Sequence, residues 1–76
     1  MGTNERHLVA SAIASEMQRA ERSVRWVADS AGIDRAVLAS KLAEREDFTM
    51  VDLANIAGAL GVPAAALTPS IGPAVP

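Results

Sequence analysis

An all-α fold, a compact domain of four to five helices, is what this sequence predicts, and three observations predict it. Apolar residues recur at spacings of three and four along most of the chain, and no stretch alternates with the period of two that marks a strand. Sixteen of the 76 residues are alanine, the best helix former. Residues that start and stop helices fall between the apolar stripes. A chain of this length makes one small domain with no room for a second core.

The first helix is expected over residues 5–20, with Asn4 as its N-cap and Glu5 complementing the dipole of its first turn. Its inner stripe reads Leu8, Ala12, Ile13, Met17 and Ala20. Ser23 caps a second helix whose stripe is Val24, Val27, Ala28 and Ala31, and Gly32 ends it by taking a left-handed conformation. Asp34 caps a third helix with Leu38 and Leu42 on its inner edge. Thr49 and Asp52 have the spacing of a capping box, with Asp in place of the usual Glu. That box opens a fourth helix carrying Met50, Leu53, Ile56, Ala57 and Leu60 on one face, and Gly61 stops it. Pro63 starts a short turn from Ala64 to Leu67. Residues 68–76 hold three prolines and read as a tail after a domain spanning 1–67.

Composition excludes several function classes. With no cysteine there is no disulfide or thiolate metal site, and the single histidine, His7, leaves no His cluster for zinc and no Ser/His pair. No apolar run approaches the ~18 residues needed to cross a bilayer, and no signal peptide is recognisable. The expectation is therefore a non-enzyme with no cofactor, no bound metal, no membrane association and no evident small-molecule ligand. The formal net charge of −2 argues at first sight against an anionic partner.

The informative segment is Val24 to Leu42: a short helix, a glycine turn and a second short helix, with Ala28 small enough to let the two cross closely. Val27, Ala31, Ile33 and Leu38 are placed to fill the wedge between them. Together with Ser23, Val27-Ala28, Ala31-Gly32-Ile33, Arg35, Leu38 and Lys41-Leu42, the segments Phe48 to Leu53 and Ile56 to Pro63 resemble the Cro/repressor helix-turn-helix family, also called xenobiotic-response-element-like. The resemblance covers about residues 8–67 and is strongest to small phage immunity repressors. It departs from the family pattern in two places. Ala43-Glu44-Arg45-Glu46-Asp47 stands where glycine and bases are common, and Lys41 stands where an apolar residue is common.

The resemblance implies a lambda-repressor-like DNA-binding domain in a cytoplasmic, nucleoid-associated regulator of transcription. Its partner would be a double-stranded DNA operator, bound by a monomer or by a weak homodimer on DNA. Helix 34–43 would enter the major groove amino end first. Arg35 would then reach guanine, Ala36 and Val37 would meet thymine methyls, and Ser40 would donate or accept. Arg19, Arg22, Ser23, Arg25, Lys41 and Arg45 are the expected phosphate contacts. Charge distribution favours this reading. Residues 19–45 carry Arg19, Arg22, Arg25, Arg35, Lys41 and Arg45 against Glu21, Asp29, Asp34 and Glu44, a balance of +2, and the rest of the chain is acidic. The alternative is an antitoxin-like protein-interaction module of the same fold with weak or no DNA binding, and Glu44, Glu46 and Asp47 are its main support.

Three further residues carry expectations. Trp26 lies off the second helix's stripe and is read as a packing residue. Gly58, inside the fourth helix, suggests a close approach by another backbone, because glycine there costs about 1 kcal/mol relative to alanine. His7 is read as an ordinary surface residue.

Overall fold

Four α-helices and a closing 3₁₀ turn account for the regular structure of the computed structural model, which describes residues 3–67. They are α1 (Thr3–Ala20), α2 (Val24–Ala31), α3 (Arg35–Leu42), α4 (Met50–Leu60) and the 3₁₀ turn Ala64–Ala66. No strand occurs among the described residues, so the all-α class holds. The expected tail at 68–76 lies outside them.

Three helix starts follow from side-chain caps. Ser23 Oγ accepts the N–H of Trp26 at 3.1 Å and opens α2. Asp34 Oδ1 accepts the N–H groups of Ala36 at 2.8 Å and Val37 at 3.3 Å and opens α3. Thr49 and Asp52 form the reciprocal capping box of α4. Gly32 ends α2 at φ +72°, and no atom would lie within 4 Å of a Cβ added there. Backbone conformation rather than space therefore selects glycine at this turn. The N-cap expected at Asn4 is not formed, because α1 already includes Thr3.

The largest fully buried side chains among the described residues are Ile13 from α1, Val27 from α2, Leu38 from α3, Ile56 from α4, and Leu67 just after the 3₁₀ turn. Each element thus contributes one anchor to a single core, which Val9, Ala10, Met17, Ala28, Ala31, Phe48, Leu53 and Ala57 complete. Truncating such an anchor to alanine typically costs about 2–5 kcal/mol. Helix α2 packs against both α3 and α4, while α1 lies against α3 and α4.

Three packing expectations are corrected. The inner face of α1 is Val9, Ala10, Ile13 and Met17, and Leu8 is 42% exposed. Ala12 and Ala20 are small enough to sit on either face, so they marked the stripe poorly. Met50 is 76% exposed because it belongs to the first turn of α4, and packing begins at Leu53. Gly58 is exposed and has nothing within 4 Å of a Cβ built on it, so no backbone among the described residues approaches it.

Candidate nucleic-acid interface

Helices α2 and α3 are eight residues each and are joined by Gly32, Ile33 and Asp34. Val27, Ala28 and Ala31 face the core from α2, and half-buried Ile33 closes the wedge behind the turn. Ile33 N–H donates to Ala28 O at 2.9 Å, which fixes where α3 begins. Leu38 anchors α3 inward, and half-buried Leu42 packs against the core one turn later. The outward residues of α3 are Arg35, Ala36, Val37 (38% exposed) and Ala39.

The amino ends of α2 and α3 meet around a shallow concavity lined by Val24, Arg25, Asp34, Arg35, Ala36 and Ala39. Two arginines from different helices are thereby brought to one hollow. The Val24 and Arg25 N–H groups precede the first bond of α2, in which Val27 N–H donates to Ser23 O at 3.0 Å. They add partial positive charge at the same edge. The Asp34 carboxylate sits there as well, since it caps α3.

The expected site residues fall into three groups. Arg25, Arg35, Ala36 and Val37 are exposed around the outer side of the α2–turn–α3 unit, as are Arg22 and Ser23 just ahead of α2. Arg22, Arg25, Arg35 and Arg45 form no ion pair among the described residues. The Arg22 guanidinium lies 4.2 Å from the Trp26 ring centroid. Trp26 is half-buried against the core, so it both packs and supports this arginine. A stacked guanidinium keeps its in-plane N–H groups free to donate. Arg45 lies beyond the far end of α3, at the opposite end of the helix from Arg35.

A second group is less available. Ser40 is half-buried. Arg19 is exposed but lies 3.4 Å from Glu16, one turn away on α1. Its own side chain is 77% exposed against 17% for Glu16, and the contact is long, so Arg19 can still turn toward an anion.

Lys41 departs from expectation altogether. It is 9% exposed, and its ammonium pairs with Asp52 of α4. Its side chain is shielded from solvent, and its charge is committed to that carboxylate. So placed, Lys41 does not present its ammonium to solvent as the expected phosphate contact would. Burial pushes the Asp52 carboxyl up, but hydrogen bonds from Lys41 and Thr49 outweigh this and hold it below the usual carboxylate range.

The acids after α3 are also arranged differently from what charge counting suggests. Arg6 Nε donates to Asp47 Oδ1 at 2.7 Å, and Arg6 Nη1 donates to the Glu44 carbonyl at 3.2 Å. His7 Nδ1 lies 2.9 Å from Glu44 Oε2. The hydrogen bond from Arg6 holds the Asp47 carboxyl below its ordinary value. Glu44 and Asp47 thus face the start of α1, which leaves Glu46 as the acid of this segment without an ion-pair partner among the described residues.

Two participants were missed from sequence. Ala39 lines the hollow with Arg35, its neighbour one turn earlier, and that spacing could have flagged it. Arg6 was passed over because its partners lie far along the chain. No group of three or more His, Cys, Asp or Glu side chains that could hold a metal ion occurs among the described residues. No helix among them is long and apolar enough to cross a membrane. No protein-family model matches this chain, and no curated protein or solved structure matches it either.

Proposed function

We propose that this chain is a lambda-repressor-like, sequence-specific binder of double-stranded DNA that regulates transcription, a phage-type repressor or Cro-like protein. The observation that carries the reading is the α2–turn–α3 unit. Two short capped helices leave the outer side of α3 open and bring Arg25 and Arg35 to one hollow at their amino ends. In this reading α3 enters the major groove amino end first. Arg35 donates to guanine O6 and N7, a contact worth about 1–3 kcal/mol of discrimination. Ala36, Val37 and Ala39 present methyl groups to thymine, and Ser40 contributes at the edge. Arg22, Ser23 and Arg25 hold phosphates on one side of the groove and Arg45 on the other, with Arg19 at the periphery. Repression then follows from occupying an operator that polymerase must use.

Selection of bound sequences from a random duplex pool tests this directly, and the spacing of the recovered motif distinguishes a monomer from a dimer. On the selected duplex, Arg35→Ala should weaken binding by about 1–3 kcal/mol and relax preference at one base pair. Arg22→Ala should weaken all duplexes alike and reduce the slope of log K against log salt by about one. Equal affinity for every duplex, unchanged by Arg35→Ala, would rule out sequence readout.

A second reading has one observation in its favour. Met50 and Val51 are 76% and 68% exposed at the start of α4, side by side. An apolar pair so placed suits a protein partner, as in an antitoxin-like module. Absence of duplex binding in a low-salt anisotropy titration up to tens of micromolar selects that reading.

A further inference from the structure

Helix α3 packs against α2 and α1, and α4 packs chiefly against α2, so α3 and α4 are not principal packing partners. One charged pair nevertheless ties the last turn of α3 to the first turn of α4. Lys41, the chain's single lysine, meets Asp52 with side chains only 11% and 15% exposed. The acceptor is itself held in place. Asp52 Oδ2 accepts the Thr49 N–H at 2.9 Å, and the Asp52 N–H donates to Thr49 Oγ1 at 3.0 Å. Lys41 is therefore tied to a carboxylate whose rotamer the capping box fixes.

A shielded ion pair adds little net stability over an apolar pair of the same volume, but removing one partner strands the other, so its geometry is strongly enforced. Lys41 lies one turn beyond Val37 on the same flank of α3, and Val37 is an outward residue of the proposed reading face. Fixing Lys41 fixes the roll of α3 about its axis. Roll decides which side chains point away from the core.

We propose that Lys41 and Asp52 are positioning residues for duplex binding, setting the roll of α3 against α4 so that Arg35, Ala36 and Val37 present together, without either residue touching the duplex. The proposal rests on the duplex-binding reading above. It assigns Lys41 a role opposite to that of a phosphate contact, and it gives Asp52, an acid, a favourable effect on binding to a polyanion.

The test compares the full chain with Lys41→Met and Asp52→Asn, titrated across salt concentrations with the selected duplex and with an unrelated duplex. Asn at 52 keeps an acceptor for the Thr49 N–H while removing the charge. Each variant should weaken binding to the selected duplex about tenfold, ~1.4 kcal/mol, and shift binding to the unrelated duplex by less than about twofold. The salt slope should match that of the unmodified chain. A salt slope reduced by about one in Lys41→Met would make Lys41 a phosphate contact and overturn the proposal. Tighter binding by Asp52→Asn would reduce its role to simple charge and overturn it too. Circular dichroism checks that both variants fold. If either does not, acylation of the unmodified chain supplies the answer, with the modified amine located by peptide mass. Lys41 should react far more slowly than the α-amino group, and equally slowly with or without duplex. Fast acylation that the duplex suppresses would overturn the proposal. Failure of the unmodified chain to bind any duplex is seen before a variant is made, and overturns the duplex-binding reading itself.

Discussion

Glu44 holds a backbone conformation, φ +66°, that costs an L-residue about 1–2 kcal/mol. Its surroundings explain why the conformation persists. The Arg45 N–H donates to Ser40 O at 3.0 Å, closing the end of α3. The Glu44 carbonyl accepts from Arg6, and its carboxylate lies against His7. A residue fixed at three points can occupy a strained region that isolated Glu would leave. Glycine would relieve the strain but lose the contact of the carboxylate with His7. Gly58 presents the reverse situation, a glycine in a helical conformation with open space around it and no contact to lose. Gly58→Ala should therefore stabilise the domain by up to about 1 kcal/mol. In a domain of this size that is a rise of roughly 4–8 °C in Tm, measured by thermal unfolding. A fall in Tm would mean that the open space at Gly58 is filled in solution.

At the scale of elements, Asp34 serves two ends that conflict. Its carboxylate satisfies two N–H groups at the start of α3, yet it places a negative charge in the hollow that holds Arg25 and Arg35. Asp34→Ala should cost about 1 kcal/mol of stability through the lost cap. On the proposed duplex-binding reading, the same change should tighten binding at low salt, because a negative charge leaves the hollow that holds Arg25 and Arg35. Urea unfolding and anisotropy titration on the same sample check the two effects. Weaker binding by the folded variant would instead make Asp34 a direct contact to the duplex. Caps of this kind are why the helix boundaries were legible in the sequence: Ser23, Gly32, Asp34, Thr49 and Gly61 act within three or four residues of themselves. The α1 stripe was less legible, since Leu8 and Val9 are equally apolar and only packing decides between them. The outward side of α3 could be read because Leu38, an apolar residue on the helix itself, marks which side turns inward. Lys41 could not be placed, because its burial depends on Asp52, eleven residues away on another helix.

For the whole molecule, a net charge of −2 conceals a division of labour among the charges. Arg6, Lys41, Asp47 and Asp52 join elements to one another, while Arg22, Arg25, Arg35 and Arg45 remain directed to solvent around α2 and α3. The two ties converge on the carboxyl end of α3, one from α1 and one from α4. This arrangement makes stability depend on pH with a definite sign. The Asp47 and Asp52 carboxyls both lie below their ordinary values in the folded protein, so the folded state binds their protons less readily than the unfolded chain does. Their contribution is fully present above the unfolded carboxylate value of about 3.9 and is lost as pH falls through the lower folded values. Arg6, whose value is raised further, stays charged throughout and adds no slope in this range. Urea unfolding from pH 7 down to pH 3 should show stability flat near neutrality and falling at the acid end. Asp52→Asn should start from a lower plateau and fall less steeply, because one proton-binding difference has been removed. An acid limb of unchanged slope in that variant would mean that Asp52 titrates as an ordinary exposed carboxylate, and that the tie between α3 and α4 does not form in solution.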